Sequence, residues 1–133
     1  METAKDPHTI LIVEDEILIR MSAVATLEDA GFIILEAGSA AEAIEILAAN
    51  TSIDVMMTDV RMPGAMDGLG LVALVHRHHP DIRAIVVSGN TSAEDACNAG
   101  AIGFLPKPYM AHSLVRAIND LLTRNFTPLG NAA

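Results

Sequence analysis

Tryptophan is missing from this 133-residue chain, and aromatics of every kind make up only 3%. Platforms that stack bases need such side chains. Cations are scarce as well: eight Lys and Arg stand against 17 Asp and Glu, a formal net charge of −9. Binding a phosphate backbone takes clustered Lys and Arg, so direct contact with nucleic acid is excluded. No apolar run approaches the roughly 18 residues of a membrane span. The opening METAKDPH lacks the apolar stretch of a secretory signal. One cysteine, Cys97, permits no intrachain disulfide, which points to a reducing cytoplasm. Its small side chain suits a core position. Only two lysines occur, Lys5 and Lys107, which draws attention to the surroundings of Lys107.

What is present is apolar bulk. Hydrophobic residues make up 51% of the chain, enough for one domain with its own core and too many for a disordered chain. Five short apolar runs are continuous rather than alternating: TILIV (9–13), FIIL (32–35), VMMT (55–58), AIVVS (84–88) and IGFL (102–105). Strands buried on both faces read this way.

Helical patterns separate the runs. Ile17, Met21, Val24 and Ala25 form one stripe. Ser39-Ala40-Ala41-Glu42 is a capping box ahead of Ala40, Ala43, Ile44, Leu47 and Ala48. Leu71, Leu74 and Val75 mark a third helix, and Asp67 is placed to cap it. Thr91-Ser92-Ala93-Glu94 caps a short fourth helix ending near Gly100. Leu114, Ala117, Ile118, Leu121 and Leu122 mark a fifth. The expected fold is α/β: a five-stranded parallel sheet with helices on both faces, doubly wound in the flavodoxin manner. Residues 1–7 are expected to be disordered, 8–124 to form the domain, and 125–133 to be a loose tail.

Ligands of such sheets bind at the carboxyl ends of the strands. There the sequence places Glu14-Asp15-Glu16, Asp59, Ser88-Gly89-Asn90 and Lys107, all at one sheet edge. Glu36, at the end of the second strand, has no assigned role. Taken alone, an acid before a helix caps it or offsets its dipole, and a strand-end Asp is an ordinary turn residue. Taken together, the carboxylates repel one another: two charges 4 Å apart interact by about 4 kcal/mol at an effective dielectric of about 20. A hard divalent cation, Mg²⁺, and the Lys107 ammonium would offset that repulsion. An ionised Asp59 can then attack phosphorus, with the cation and Lys107 neutralising the transferring group and Ser88 donating to it.

The segments ILIVEDE, MMTDVRMPGAMDG, VVSGN and GFLPKPY resemble the receiver domain of two-component response regulators, of the chemotaxis-regulator type, over about residues 8–124. The resemblance implies roles. Asp59 is the phosphoacceptor, and Glu14 and Asp15 hold Mg²⁺ with it. Arg61 lends the metal a backbone carbonyl. Ser88 and Phe104 form the switch, and Lys107 contacts the phosphoryl group, ahead of a cis Lys107–Pro108 peptide. It also implies phosphorelay from a sensor histidine kinase or histidine phosphotransfer protein, a downstream protein target, a monomer or phosphorylation-dependent dimer, and no metabolic turnover. An output surface built from the fourth helix, fifth strand and fifth helix follows.

Two departures stand out. The MPGAMDG loop is one residue longer than usual, which predicts only a local change around Pro63-Gly64. Lys107 follows Ser88 by 19 positions, about three fewer than the family pattern, which at ~1.5 Å per residue removes most of a helical turn. A shortened, mobile fourth helix and an atypical output surface are therefore expected.

Other classes fit poorly. A haloacid-dehalogenase-type phosphatase wants an acid where Arg61 stands. No GxxxxGK[ST] or GxGxxG is present. A flavin binder needs a phosphate cradle where this chain has EDEIL. A receiver-like module that binds partners without phosphate is the remaining alternative. Met1 and the short tail favour a free-standing module over a segment of a hybrid kinase or longer regulator. His76, His78 and His79 read as a solvated helix end, since no Cys joins them and Pro80 follows.

Overall fold

A computed structural model describes residues 7–50 and 52–123, so most of the two terminal stretches lies outside the described residues. Five strands, β1 (Thr9–Val13), β2 (Ile33–Ala37), β3 (Val55–Thr58), β4 (Arg83–Ser88) and β5 (Gly103–Pro106), alternate with α1 (Ile17–Asp29), α2 (Ala40–Ala49), α3 (Gly68–His78), α4 (Ala93–Ala99) and α5 (Ala111–Thr123). The sheet is parallel throughout, in the order β2-β1-β3-β4-β5. That order reverses direction at β1 and β3, the place where doubly wound folds bind ligands.

Two apolar layers sandwich the sheet. Leu11, Val13, Met56 and Val86 face α2, α3 and α4, whose Ala43, Leu47, Leu71, Val75 and Ala96 are buried against them. Ile10, Ile12, Val55, Met57 and Ile85 face α1 and α5, meeting Ala23, Leu27, Leu114, Ile118 and Leu121. Continuous apolar runs therefore hold for the central strands. They fail for β2, whose Ile33 is 49% exposed, because β2 is an edge strand. Pairing with β1, from Thr9 opposite Ile33 to Val13 opposite Ala37, also carries β2 past the expected FIIL run to Ala37.

Three further expectations are corrected. On α1 the stripe does not face inward: Ile17 and Met21 are 61% and 58% exposed, while Ala23 and Leu27 are buried. Apolar residues surround this helix, so periodicity alone cannot choose its inner face. Cys97 is exposed, not a core residue. In the short α4, Ala96 takes the single buried position and the next residue turns about 100° towards solvent. The α4 cap is Ser92, whose hydroxyl accepts from the Asp95 amide, rather than a Thr91–Glu94 box.

The expected caps on α2 and α3 are seen: Ser39 accepts from the Glu42 amide and Asp67 from the Gly70 amide. α4 is shortened as expected, at seven residues, and stops at Gly100 with φ +114°. His76 is exposed, and its ring sits beside Gly100, where a Cβ would lie 2.7 Å from the imidazole.

Candidate functional site

The ends of β1, β3, β4 and β5 bring their polar groups to the same rim. β3 ends in Asp59, whose amide donates to the Val13 carbonyl of β1 (3.1 Å). Its Oδ1 accepts from the Val60 amide (2.6 Å). Behind it, α3 begins so close that Gly68 has no room for a side chain. A Cβ there would lie 2.7 Å from the Asp59 carbonyl carbon and 2.8 Å from the Val60 Cα. The Gly68 amide donates to the Val60 carbonyl (2.8 Å), which locks the turn after the strand.

β1 delivers Glu14 and Asp15. Glu14 is only 4% exposed. Its Oε2 accepts from the Glu16 amide (3.2 Å), folding the acidic loop back on itself. From β5, the Lys107 ammonium donates to Glu14 Oε1 (2.9 Å) and to Asp59 Oδ2 (2.8 Å). One oxygen from each of Glu14, Asp15 and Asp59 falls within 4.8 Å of the others. Ser88, 4% exposed, ends β4; its hydroxyl accepts from the Asn90 amide, and its carbonyl accepts from the Lys107 amide. The Lys107–Pro108 peptide is cis. A cleft of about 410 Å³ opens above them, lined by Asp15, Asp59, Arg61, Ser88, Asn90 and Lys107.

Burial raises the Glu14 carboxyl above its ordinary value, although the Lys107 hydrogen bond pulls the other way. Burial alone would lower the Lys107 ammonium. Its hydrogen bonds to Asp59 and Glu14 outweigh that and raise it. Glu14 and Lys107 therefore both hold their protons more tightly than free side chains do.

The donors are suited to a hard cation: carboxylate oxygens from two strand ends, open to a cleft that admits water. Glu14, Asp15 and Asp59 are the groups that would hold Mg²⁺, with Arg61 beside them on the rim. Phe104 lies deeper. It is half-buried against the α2–α4 layer and registered opposite Val86, two residues before Ser88 on the same face of β4.

The structure adds groups that sequence reasoning left unused. Arg20 on α1 reaches the Glu14 carbonyl (2.7 Å) and Glu36 (3.0 Å). Its one signal was being the single basic residue in that helix. Tyr109 lies beside Lys107 in an apolar groove shared with Leu18, Ile19 and Pro108. Gly68 had only the DG dipeptide to mark it.

The response regulator receiver domain family matches over residues 10–119. Sensor kinase CckA of Brucella abortus is 38% identical over 120 residues, 87% of this chain but 13% of that protein. The DNA-binding transcriptional regulator NtrC of Escherichia coli is 35% identical over 103 residues, 75% of this chain and 22% of that protein. The chain thus spans well under a third of these relatives. Among solved structures, a response regulator receiver domain from Clostridium thermocellum superposes with a TM-score of 0.81 at 31% identity, covering 88% of this chain and 95% of that one. A CheY-like receiver domain from Methanospirillum hungatei gives 0.83 at 28%, covering 89% and 95%. With a match that runs from β1 into α5 and includes every strand end of the cleft, this chain belongs to the response regulator receiver domain family of two-component systems.

Proposed function

We propose that Asp59 accepts a phosphoryl group from a partner phosphohistidine. The observation that carries this reading is the Lys107 ammonium, bonded at once to Asp59 and Glu14 beside a third carboxylate in an open cleft. The Asp59 carboxylate attacks phosphorus and the bond to the histidine nitrogen breaks, with the electron pair leaving on the imidazole. The product is an acyl phosphate. A backbone amide, Val60 N–H, holds Oδ1, whereas Oδ2 is held by the Lys107 side chain, which can move aside, so Oδ2 is the reacting oxygen of this reading. Lys107 then passes from Oδ2 to a phosphoryl oxygen. Ser88 turns from the Asn90 amide to donate its hydroxyl proton there. Bound Mg²⁺, held by Glu14, Asp15, Asp59 and the Arg61 carbonyl, supplies charge neutralisation on the transferring group.

Phosphorylation replaces one negative charge with about two and adds acceptor oxygens. Only that state gives Ser88 its new bond. Phe104, on the same face two residues along, can turn into the space that Ser88 vacates, and the α4–β5–α5 surface shifts with it. A full swing from 1:99 to 99:1 needs about 5.5 kcal/mol of differential interaction, so a partial shift is the expectation. The donor is a sensor histidine kinase or histidine phosphotransfer protein, and the reader is a downstream protein. Similarity to both a sensor kinase and a transcriptional regulator supports that class of circuit. The domain modifies itself and loses the phosphate slowly; it turns over no metabolite.

Labelling with radioactive acetyl phosphate tests this. Wild type takes up label in Mg²⁺ and not in EDTA, and Asp59→Asn takes up none. Label that persists in Asp59→Asn removes the phosphoacceptor assignment. No label in wild type favours a module that binds partners without phosphate.

A further inference from the structure

Glu14 and Asp15 stand on a loop that no side chain caps. The residue before α1, Glu16, makes no side-chain bond to the helix amides. Yet the Glu14 backbone is held on both sides. Its amide donates to the Ala37 carbonyl of β2 (3.0 Å), and its carbonyl accepts from Arg20 Nη1 (2.7 Å). The same guanidinium donates from Nε to Glu36 Oε1 (3.0 Å). Arg20 is largely shielded, with 20% of its side chain exposed, and Glu36 lies open at 47%. Gly38 leaves room beside the guanidinium, since a Cβ there would come within 3.3 Å of Nη1.

The peptide plane gives this contact a consequence. The Glu14 carbonyl, the Asp15 amide and the Asp15 Cα are coplanar. Fixing the carbonyl oxygen from α1 therefore fixes the direction in which the next residue leaves the strand. We infer that Arg20, held by Glu36, is a positioning residue for the divalent cation site: it sets the Glu14–Asp15 peptide from which both carboxylates reach Asp59. This inference rests on the receiver reading and assigns a task to Glu36, which the sequence left without one. The fork of an arginine matters, because a lysine ammonium on its flexible stem cannot reproduce two donors in fixed directions.

A purely electrostatic role and a purely structural role for Arg20 lead to different results. If Arg20 acts only through its charge, it repels the cation, and removing it tightens binding. If it serves only the fold, its removal lowers thermal stability and leaves affinity alone. The experiment titrates Mn²⁺ into the unphosphorylated full chain by calorimetry, for wild type, Arg20→Met, Arg20→Lys and the double variant Arg20→Met with Glu36→Gln.

Changing groups that orient metal ligands costs about 10–100-fold in affinity, and the lower end, about tenfold, is expected for Arg20→Met. Arg20→Lys keeps the charge and is expected to weaken binding several-fold all the same. The double variant should bind no more weakly than Arg20→Met, because Glu36 acts through Arg20. Equal or tighter binding by folded Arg20→Met overturns the inference. If Arg20→Met does not fold, Arg20→Lys decides: wild-type affinity there overturns it equally. A wild type that takes up no Mn²⁺ defeats the metal reading of the site itself, a failure seen before any variant is compared.

Discussion

Substituting alanine at Gly64, in the loop after β3, and at Gly68, the first residue of α3, separates two ways in which a glycine matters, and only one of them reaches Asp59. At Gly68 the backbone is ordinary but the space is taken: an added Cβ falls inside the contact radius of the Asp59 carbonyl oxygen and within 2.7–2.8 Å of Asp59 C and Val60 Cα. Those atoms belong to backbone anchored in the centre of the sheet, so no flexible side chain can yield. Overpacking of this kind costs about 1–3 kcal/mol, and a backbone obstacle puts Gly68→Ala at about 3 kcal/mol. For a domain of this size, melting falls by roughly 3–5 °C per kcal/mol, so a drop of about 10 °C is expected. At Gly64 the reverse holds: φ is +109° and nothing lies within 4 Å of the added carbon. Gly64→Ala carries only backbone strain, about 1–2 kcal/mol. Melting in EDTA by circular dichroism, with the initial rate of labelling from acetyl phosphate, reads both. Gly68→Ala must push α3 away or shift Asp59, and a displacement of about 1 Å costs about 100-fold in rate. Gly64→Ala should label within about twofold of wild type. If Gly68→Ala melts and labels like wild type, the close approach does not fix Asp59 and the reasoning fails.

Lys107→Met should destabilise the metal-free protein at neutral pH, because Glu14 and Asp59 lose their shared cation. The Lys107 pKa is raised by folding, so its contribution is complete below the unfolded lysine value of about 10.4 and is lost as pH rises through the higher folded value. The stability gap between wild type and Lys107→Met, measured by urea unfolding, should therefore close above about pH 10.5; a gap constant across that range refutes the ion-pair account. Ser92→Ala should cost about 1 kcal/mol through loss of the α4 cap, whereas Thr91→Ala should be nearly neutral, and thermal melts that reverse this order would return the cap to Thr91. Ser88→Ala should still take up label on Asp59, while the nuclear magnetic resonance shifts that phosphorylation produces in β5 should shrink; full shifts in the variant would remove Ser88 from the switch.

How legible the site was depended on how far apart in sequence its causes lie. Glu14, Asp59, Ser88 and Lys107 each end a short apolar run, and a run buried on both faces is a local signal. Once the runs are parallel, their carboxyl ends must share a rim, so the meeting of Lys107 with Asp59 and Glu14 followed from topology before any distance was known. The caps at Ser39 and Asp67 were legible for the same reason, because donor and acceptor lie three residues apart. The inner face of α1 was not. Its apolar residues run around the whole helix, and what buries Ala23 and Leu27 is the position of α5, almost a hundred residues later. Arg20 escaped for a related reason: its second acceptor, Glu36, lies on β2, which comes beside the Glu14 loop only when the strand pairs with β1. The acids at the strand ends can therefore be named from local pattern, but the angle at which they are held cannot. That angle is set by contacts with no local sequence signature, the Arg20 fork on one side and the bare Cα of Gly68 on the other. The identities of the acids supply the chemistry, and these two contacts hold the backbone from which the carboxylates and the ammonium meet.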